Sequence, residues 1–497
     1  MSLPKGRPQM KVYFSDFFEV DPAILEEYGA FNVSLINDLP LFVDPFLLFN
    51  SRKRHYIELH NNIIKYVRFL KEMSVGGAIN HGLLTNWFVF KEVKQNWLGF
   101  SKEGNEGSGL GMTFAKALHR NLKIVFTDFG EETLTRGSHL EKLCLIKEGV
   151  GRDNISDFTT NLIKEYLLDY TQTFSQKHIK EEYLRRKTVG RVRFNYSSRT
   201  WESETYKLPF FALKNDYVLL TPRDILTKDE SWINRPDLIH NIEEIAEAIP
   251  NEQLRGQISQ YLIRNIPEDA NKKEQREVAT ALLEKYPVIL DYYIRKQEED
   301  GDRASKVSRE KVLMSEILYI TQILELINNY LLPIGFYENR GETYVEAYER
   351  VMFLKDVIEN KGGHKIFYVK GEPINKEDDL HILYRLTWYA SPSDVGQEAN
   401  DGRGPVDFKI SRGNKDKTLV EFKLSSNKKL KQNLEKQVEI YEKASDPTNP
   451  SIKVILHFSE KEHERVKKVL KELNLEGDKN IVLIDAGKEN KPSGSNA

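Results

Sequence analysis

Glu421 and Lys423 stand two residues apart in the segment 418–424, TLVEFKL, whose other members are mostly apolar. Side chains alternate between faces along a β-strand, so Glu421 and Lys423 point one way while Phe422 and Leu424 point the other, into a core. The preceding segment at 405–410, PVDFKI, carries the same anomaly at Asp407. A polar turn, SRGNKDK, joins the two. A hairpin symmetric about Asn414 sets Asp407 opposite Glu421, with Cβ atoms roughly 5 Å apart. Two carboxylates at that separation repel unless a cation lies between them. Hard oxygen ligands with no Cys or His among them suit Mg2+, with Mn2+ as its substitute. An ion held by Asp407 and Glu421, with the Phe422 backbone carbonyl as a further ligand, would polarise a phosphodiester and acidify a bound water. Lys423 would orient that water or stabilise the charge developing on phosphorus. The bland alternative is a solvated strand face whose ion pairs contribute about 0–1 kcal/mol.

These residues need a sheet to hold them, and the surrounding pattern predicts one. Segments 406–410 and 418–424 read as strands, and 453–458, 460–473 and 480–485 as strand, helix and strand. Segments 342–359, 377–389 and 430–443 have helical periodicity, with a short strand at 365–369. Together they predict an α/β domain over 335–486, with helices on both faces of a small mixed sheet. Pro333 and Gly335 end a long helix at 308–331 and mark its boundary.

Upstream, a mostly helical middle region is expected at 173–334. It has helices at 238–248, 252–265 and 273–296, the last broken at Pro287, a charged interruption at 297–306 and a β-prone patch at 191–220. An N-terminal α+β domain, 1–172, combines helices at 59–73 and 157–170, the second capped by Ser156, with a strand at 122–126. The tail 487–497 is polar and expected to be disordered. The fold class is therefore α+β multidomain, with largely helical N-terminal and middle regions before the α/β domain.

The chain of 497 residues is too long for one core. Its 40% hydrophobic and 30% charged residues describe a globular protein, not a disordered one. The formal net charge of −2 means that any nucleic-acid surface must be local. A single cysteine, Cys144, excludes an intramolecular disulfide and a cysteine-built zinc site. No apolar run approaches the roughly 18–20 residues that span a bilayer, and the N-terminus lacks the apolar core of a secretory signal. A cytoplasmic protein with no membrane partner is expected.

Pro405-Val406-Asp407 followed by Glu421-Phe422-Lys423 resembles the PD-(D/E)xK nuclease superfamily, over about residues 372–485. Val406, which separates the proline from the aspartate, departs from the family pattern. The resemblance implies a restriction-endonuclease-like fold for 335–486 and Mg2+-dependent DNA endonuclease activity, in the setting of restriction-like or anti-phage defence nucleases. It also implies a third acid on the helix before the Asp407 strand. Glu377 in EDDLH is the assignment and Glu398 the competitor. A glutamine on the helix after the Glu421 strand, Gln437, would position the water or the lysine. Cutting two strands implies two sites, hence a homodimer, and the lack of a linked motor implies a stand-alone effector or one that works with a partner protein or activator. An RNA-directed nuclease is one alternative. A catalytically inactive nuclease-like module that binds nucleic acid or assembles with partners is the other.

Candidate phosphate contacts are Lys415, Lys417, Lys428, Lys429, Lys431 and Lys436 around the site. A second basic stretch at 184–201 interleaves Arg185, Arg186, Lys187, Arg191, Arg193 and Arg199 with Phe194, Tyr196 and Trp201. That pattern suits stacked nucleic acid, and suits rather better an edge strand protected by charge. The glycine-rich segment 104–111, GNEGSGLG, reads as a flexible loop, with a phosphate-cradling role as the rival. The eleven histidines show no H-E-x-x-H spacing.

Overall fold

The computed structural model describes residues 11–77, 79–99, 110–124, 128–145, 152–228, 230–265, 272–337, 342–369, 371–388, 408–412, 416–435 and 451–489. Asp407, Glu398, Gln437, Lys415 and Lys436 lie outside them, as do residues 104–109. The strands among them are β1 (Leu41–Val43), β2 (Leu184–Asn195), β3 (Thr200–Phe211), β4 (Asp216–Tyr217), β5 (Leu226–Lys228), β6 (Tyr368–Val369), β7 (Glu372–Pro373), β8 (Phe408–Arg412), β9 (Asp416–Leu424), β10 (Ile452–His457) and β11 (Ile481–Asp485). None of the described helices is long and apolar enough to cross a membrane.

The chain divides into two compact units, Tyr13–Val312 and a second that begins at Leu313. Residues either side of the expected 172/173 boundary thus share one unit, and the second starts inside the long helical run instead of at Pro333.

In the first unit, β2, β3 and β4 form an antiparallel sheet. Val189, Val192, Tyr206 and Leu208 from that sheet pack with Leu168 of the helix Lys164–His178. β1 pairs with β5. The predicted 59–73 helix is the middle of Arg54–Val75, and Pro287 separates Lys272–Lys285 from Ile289–Glu299. Three expectations are corrected. The predicted strand at 122–126 is helical through Ile124, because Ala115, Leu118 and Leu122 recur at helical spacing on the buried face of Met112–Ile124. Ser156 is no cap but lies within the helix Arg152–Leu162, where its hydroxyl accepts the Val43 amide of β1 at 2.9 Å. The charged stretch 297–306 is helical except near Asp300. Its Glu298 is buried and accepts the Arg136 and Gly137 amides and a hydrogen bond from His139, so the charge is satisfied without leaving the helix.

In the second unit the sheet order is β11-β10-β9-β8. β9, β10 and β11 run parallel and β8 is antiparallel to β9. Every residue of β10 is buried, as expected for an interior strand covered on both faces. One face packs on Leu430, Leu434 and the helix Glu460–Glu472, through Ile455, Val466 and Leu470. The other receives the helix Glu377–Trp388, whose Tyr384 ring stacks on Phe422 with centroids 3.6 Å apart. Thr343, first residue of the helix Thr343–Asn360, shares a buried 2.9 Å hydroxyl contact with Thr418. The fold is thus mixed α/β, with helices on both faces of this sheet. Ser459 starts the 460–472 helix by accepting the Glu462 amide, and Glu460 and Glu462 place negative charge at its positive end.

Candidate functional site

β9 is where the candidate residues meet. Its antiparallel partners run Phe408↔Val420, Lys409↔Leu419, Ile410↔Thr418, the pairs required of a hairpin symmetric about Asn414. The described pairing begins one residue after Asp407, which lies outside the described residues. On the other side, the parallel register sets Lys453 beside Glu421 and Ile455 beside Lys423. In-register neighbours share a face. Glu421, Lys423, Lys453 and Ile455 therefore line one side of the sheet, the side that Ile455 buries against Leu430, Leu434 and the 460–472 helix.

Burial decides against the solvated-strand alternative. Glu421 is 1% exposed, Lys423 7% and Lys453 7%. Charges taken so far out of water demand partners of opposite sign, because the attraction between them must offset a desolvation penalty of several kcal/mol per ion. Lys453 was not singled out by sequence. IKVILH reads as an ordinary buried strand, and only the parallel register reveals the lysine beside Glu421.

Past the described β8 pairing, the edge of β9 is taken over by the 377–388 helix. His381 Nε2 lies 2.9 Å from the Phe422 carbonyl, to which it donates. One turn earlier on the same helix face, Glu377 Oε1 accepts the Leu424 amide at 3.2 Å and the Asn427 side-chain amide at 2.8 Å. Glu377 thus reaches the Glu421 strand, where it binds backbone three residues further along, about 10 Å at strand rise. Sequence had noted EDDLH only for Glu377, and the i, i+4 pairing of Glu377 with His381 was the signal for the second contact.

The candidate phosphate contacts separate clearly. Lys428 and Lys429 are exposed on the turn after β9. Lys431 pairs with Glu472 at 2.7 Å. The 184–201 stretch is a packed hairpin. A register shift between Val189 and Arg193 and a left-handed backbone at Arg191 (φ 53) turn that side chain inward. Its guanidinium donates to the Val89 carbonyl at 2.8 Å and the Asn86 carbonyl at 2.6 Å, and lies over the Phe90 and Trp201 rings. Arg193 is paired with Glu165 at 2.6 Å and Glu202 at 3.1 Å. Phe194 meets Tyr196 and Trp201 edge-on, and the three rings pack at tilted or edge-on angles against Tyr66 and Phe69. Arg199 is exposed, while its carbonyl accepts the Trp87 indole N–H. The aromatic rings of the stripe and the cations at Arg191 and Arg193 are engaged within the protein, which favours the charged-strand reading over a stacking platform. Arg191→Ala is expected to lower stability by about 2–3 kcal/mol, since it strands two carbonyls of a charge-assisted pair. Urea unfolding would measure that loss. DNA affinity by fluorescence anisotropy should stay unchanged, and a loss of affinity at unchanged stability would restore the platform.

Among the described residues one group of side chains has metal-ligand spacing, Glu460, His463 and Glu464. Comparison with known proteins gives two matches. A family model described as a domain of unknown function (DUF8370) matches residues 19–234, and another so described (DUF8371) matches residues 343–460, a span that holds β8, β9 and β10. No curated protein and no solved structure matches the chain.

Proposed function

We propose that the C-terminal unit is a metal-dependent phosphodiesterase, a DNA endonuclease whose site is built on Asp407, Glu421 and Lys423. The observation that carries it is the burial of Glu421 and Lys423 together on one face of the central strand β9, in a hairpin register symmetric about Asn414. A strand face this dry does not keep a carboxylate and an ammonium for solubility. The donor set, carboxylates without sulfur, fits Mg2+. Asp407 and Glu421 would hold the ion, with Glu398 as the competitor for a third acid now that Glu377 is engaged by the Leu424 amide and Asn427, and when bound it supplies Lewis-acid polarisation of a phosphodiester. Lys423 contributes a fixed positive charge, strengthened by low-dielectric surroundings, for the phosphate oxygens or the attacking water. His381 and Glu377 fix the β9 backbone from the edge, on either side of Lys423. Exposed Lys428 and Lys429 would draw the nucleic-acid backbone toward the end of β9.

A second reading is favoured by Lys453. Its place beside Glu421 supplies charge balance without any ion, as a non-catalytic nuclease-like module would require. Purified full chain with Mg2+ or Mn2+, tested on plasmid DNA and on RNA in parallel, separates the readings. Cleavage of DNA that is lost in Lys423→Ala is expected. Absence of cleavage of either substrate, with every candidate activator tried, would leave the module.

A further inference from the structure

The first turn of the 460–472 helix carries ligating side chains that the nuclease constellation does not use. Glu460, His463 and Glu464 stand at i, i+3 and i+4, hence on one helix face, and their ligand atoms lie within 4.8 Å of one another. Glu-x-x-His is a spacing by which helices offer a carboxylate and an imidazole to one transition metal. Behind His463 lies a buried relay. His463 Nδ1 is 3.1 Å from His457 Nε2. His457 is 5% exposed, and its Nδ1, which has no hydrogen-bond partner among the described residues, faces Asp485 Oδ1 at 3.8 Å.

With its proton on Nδ1, toward Asp485, the His457 ring accepts at Nε2 from His463 Nδ1–H. That fixes the His463 tautomer and leaves its Nε2 lone pair for a ligand. A metal-bound histidine is commonly held this way by an outer partner on its second nitrogen. Glu462, on the same turn, is turned to the sheet instead. Its Oε2 accepts from Ser425 Oγ at 2.7 Å and the Phe458 amide at 2.8 Å, which ties the turn to the ends of β9 and β10. Among the described residues the one competing contact is the exposed ion pair of Glu464 with Lys467 at 3.1 Å, weak enough for a metal to displace.

We propose that Glu460, His463 and Glu464 bind a transition-metal ion such as Zn2+, with His457 and Asp485 positioning His463. One imidazole with two carboxylates suits Zn2+ better than the all-oxygen set around Glu421 does. The test is a calorimetric titration of Zn2+ into the chelator-treated full chain in excess Mg2+, which occupies the all-oxygen site around Glu421. One saturable ion per chain is expected. Adding His463→Ala or the exposed Glu460→Gln should weaken it at least about tenfold, and His457→Gln by roughly 10–100-fold. With Co2+ in place of Zn2+, the visible d–d bands should shift in His457→Gln, a change that a merely structural histidine would not cause. No saturable binding, or equal affinity in His463→Ala and Glu460→Gln with helix content retained by circular dichroism, would overturn the site. Either result leaves Mg2+-dependent cleavage at Glu421 untouched as a separate question.

Discussion

Glu421→Gln is expected to slow Mg2+-dependent nicking of plasmid DNA at least about 100-fold, and to raise the Mg2+ concentration needed for half the remaining rate. The amide keeps the volume of the carboxylate and removes only its charge, so the packing around this buried side chain is preserved. Loss of one preorganised electrostatic group in a water-poor site typically raises the barrier by about 2.7–4 kcal/mol, which corresponds to 10²–10³ in rate. Stability moves as well. Lys423 and Lys453 remain buried on that face, and a buried cation deprived of its counter-charge costs about 3–5 kcal/mol. The rate must therefore be measured well below the melting temperature of the variant. A double variant, Glu421→Gln with Lys453→Met, separates the two effects. It should recover stability, because one buried cation beside the lost carboxylate is gone, and should not recover cleavage. A Glu421→Gln chain that cuts at the parental rate would end the nuclease assignment. Recovery of cleavage by Lys453→Met would show that Glu421 acts only by balancing charge.

What sequence made legible here were the local features. The turn SRGNKDK lies between two apolar strands of matched alternation, and that alone predicts the Asn414-centred register found in β8 and β9. Pro287, the Glu252–Asn265 helix and the strand–helix–strand run after 450 rest on equally local rules. Where expectations failed, the cause was tertiary. Nothing in LRRKTVGRVRF announces that Arg191 takes a left-handed backbone and turns onto the Val89 and Asn86 carbonyls. Ser156 looks like a cap until β1 is known to present the Val43 amide to it. The charged 297–306 stretch looks like a linker because the groups that satisfy Glu298 come from residues 136–139, far away in sequence. The same holds in the site. Asp407, Glu421 and Lys423 can be named from alternation, whereas Lys453 and His381 enter only through a parallel pairing and a helix docked on a strand edge.

Stability of the first unit is expected to fall as pH rises from about 4 to 8, and Asp157→Asn should flatten that fall. Asp157 lies one turn after Asp153 on the helix Arg152–Leu162. Burial, then the like charges of Asp153 and Glu92, push its carboxyl up to about 8. Asp38, buried in the same neighbourhood, is raised well above the ordinary range by burial first and then by Glu92, Asp153 and Asp157, against which only Lys214 pulls down. Backbone contacts hold the group together, since Gly99 donates to the Leu39 carbonyl at 3.0 Å and a Cβ at Gly99 would stand 3.4 Å from Asp153 Oδ1. The sign follows from proton counting. Between the unfolded value near 3.8 and the folded value near 8, the unfolded chain releases the Asp157 proton and the folded chain retains it. Rising pH therefore favours the unfolded state across that window. Asp157 keeps one edge open to solvent, which screens part of the effect, so its share is about 3 kcal/mol by pH 8 instead of the full value of the shift. Asp44, pushed up to about 6 by burial, adds a component of the same sign at lower pH that Asp157→Asn leaves in place. Denaturant unfolding of both chains at pH 5 and pH 8 checks the claim. Asp157→Asn should be the more stable of the two at pH 8 and close to the parent at pH 5, where both forms of residue 157 are mostly neutral in the folded state. A parental chain whose stability rises over that interval would mean that a cation neutralises the Asp38, Asp153 and Asp157 group. Chelation before the measurement would then reverse the slope.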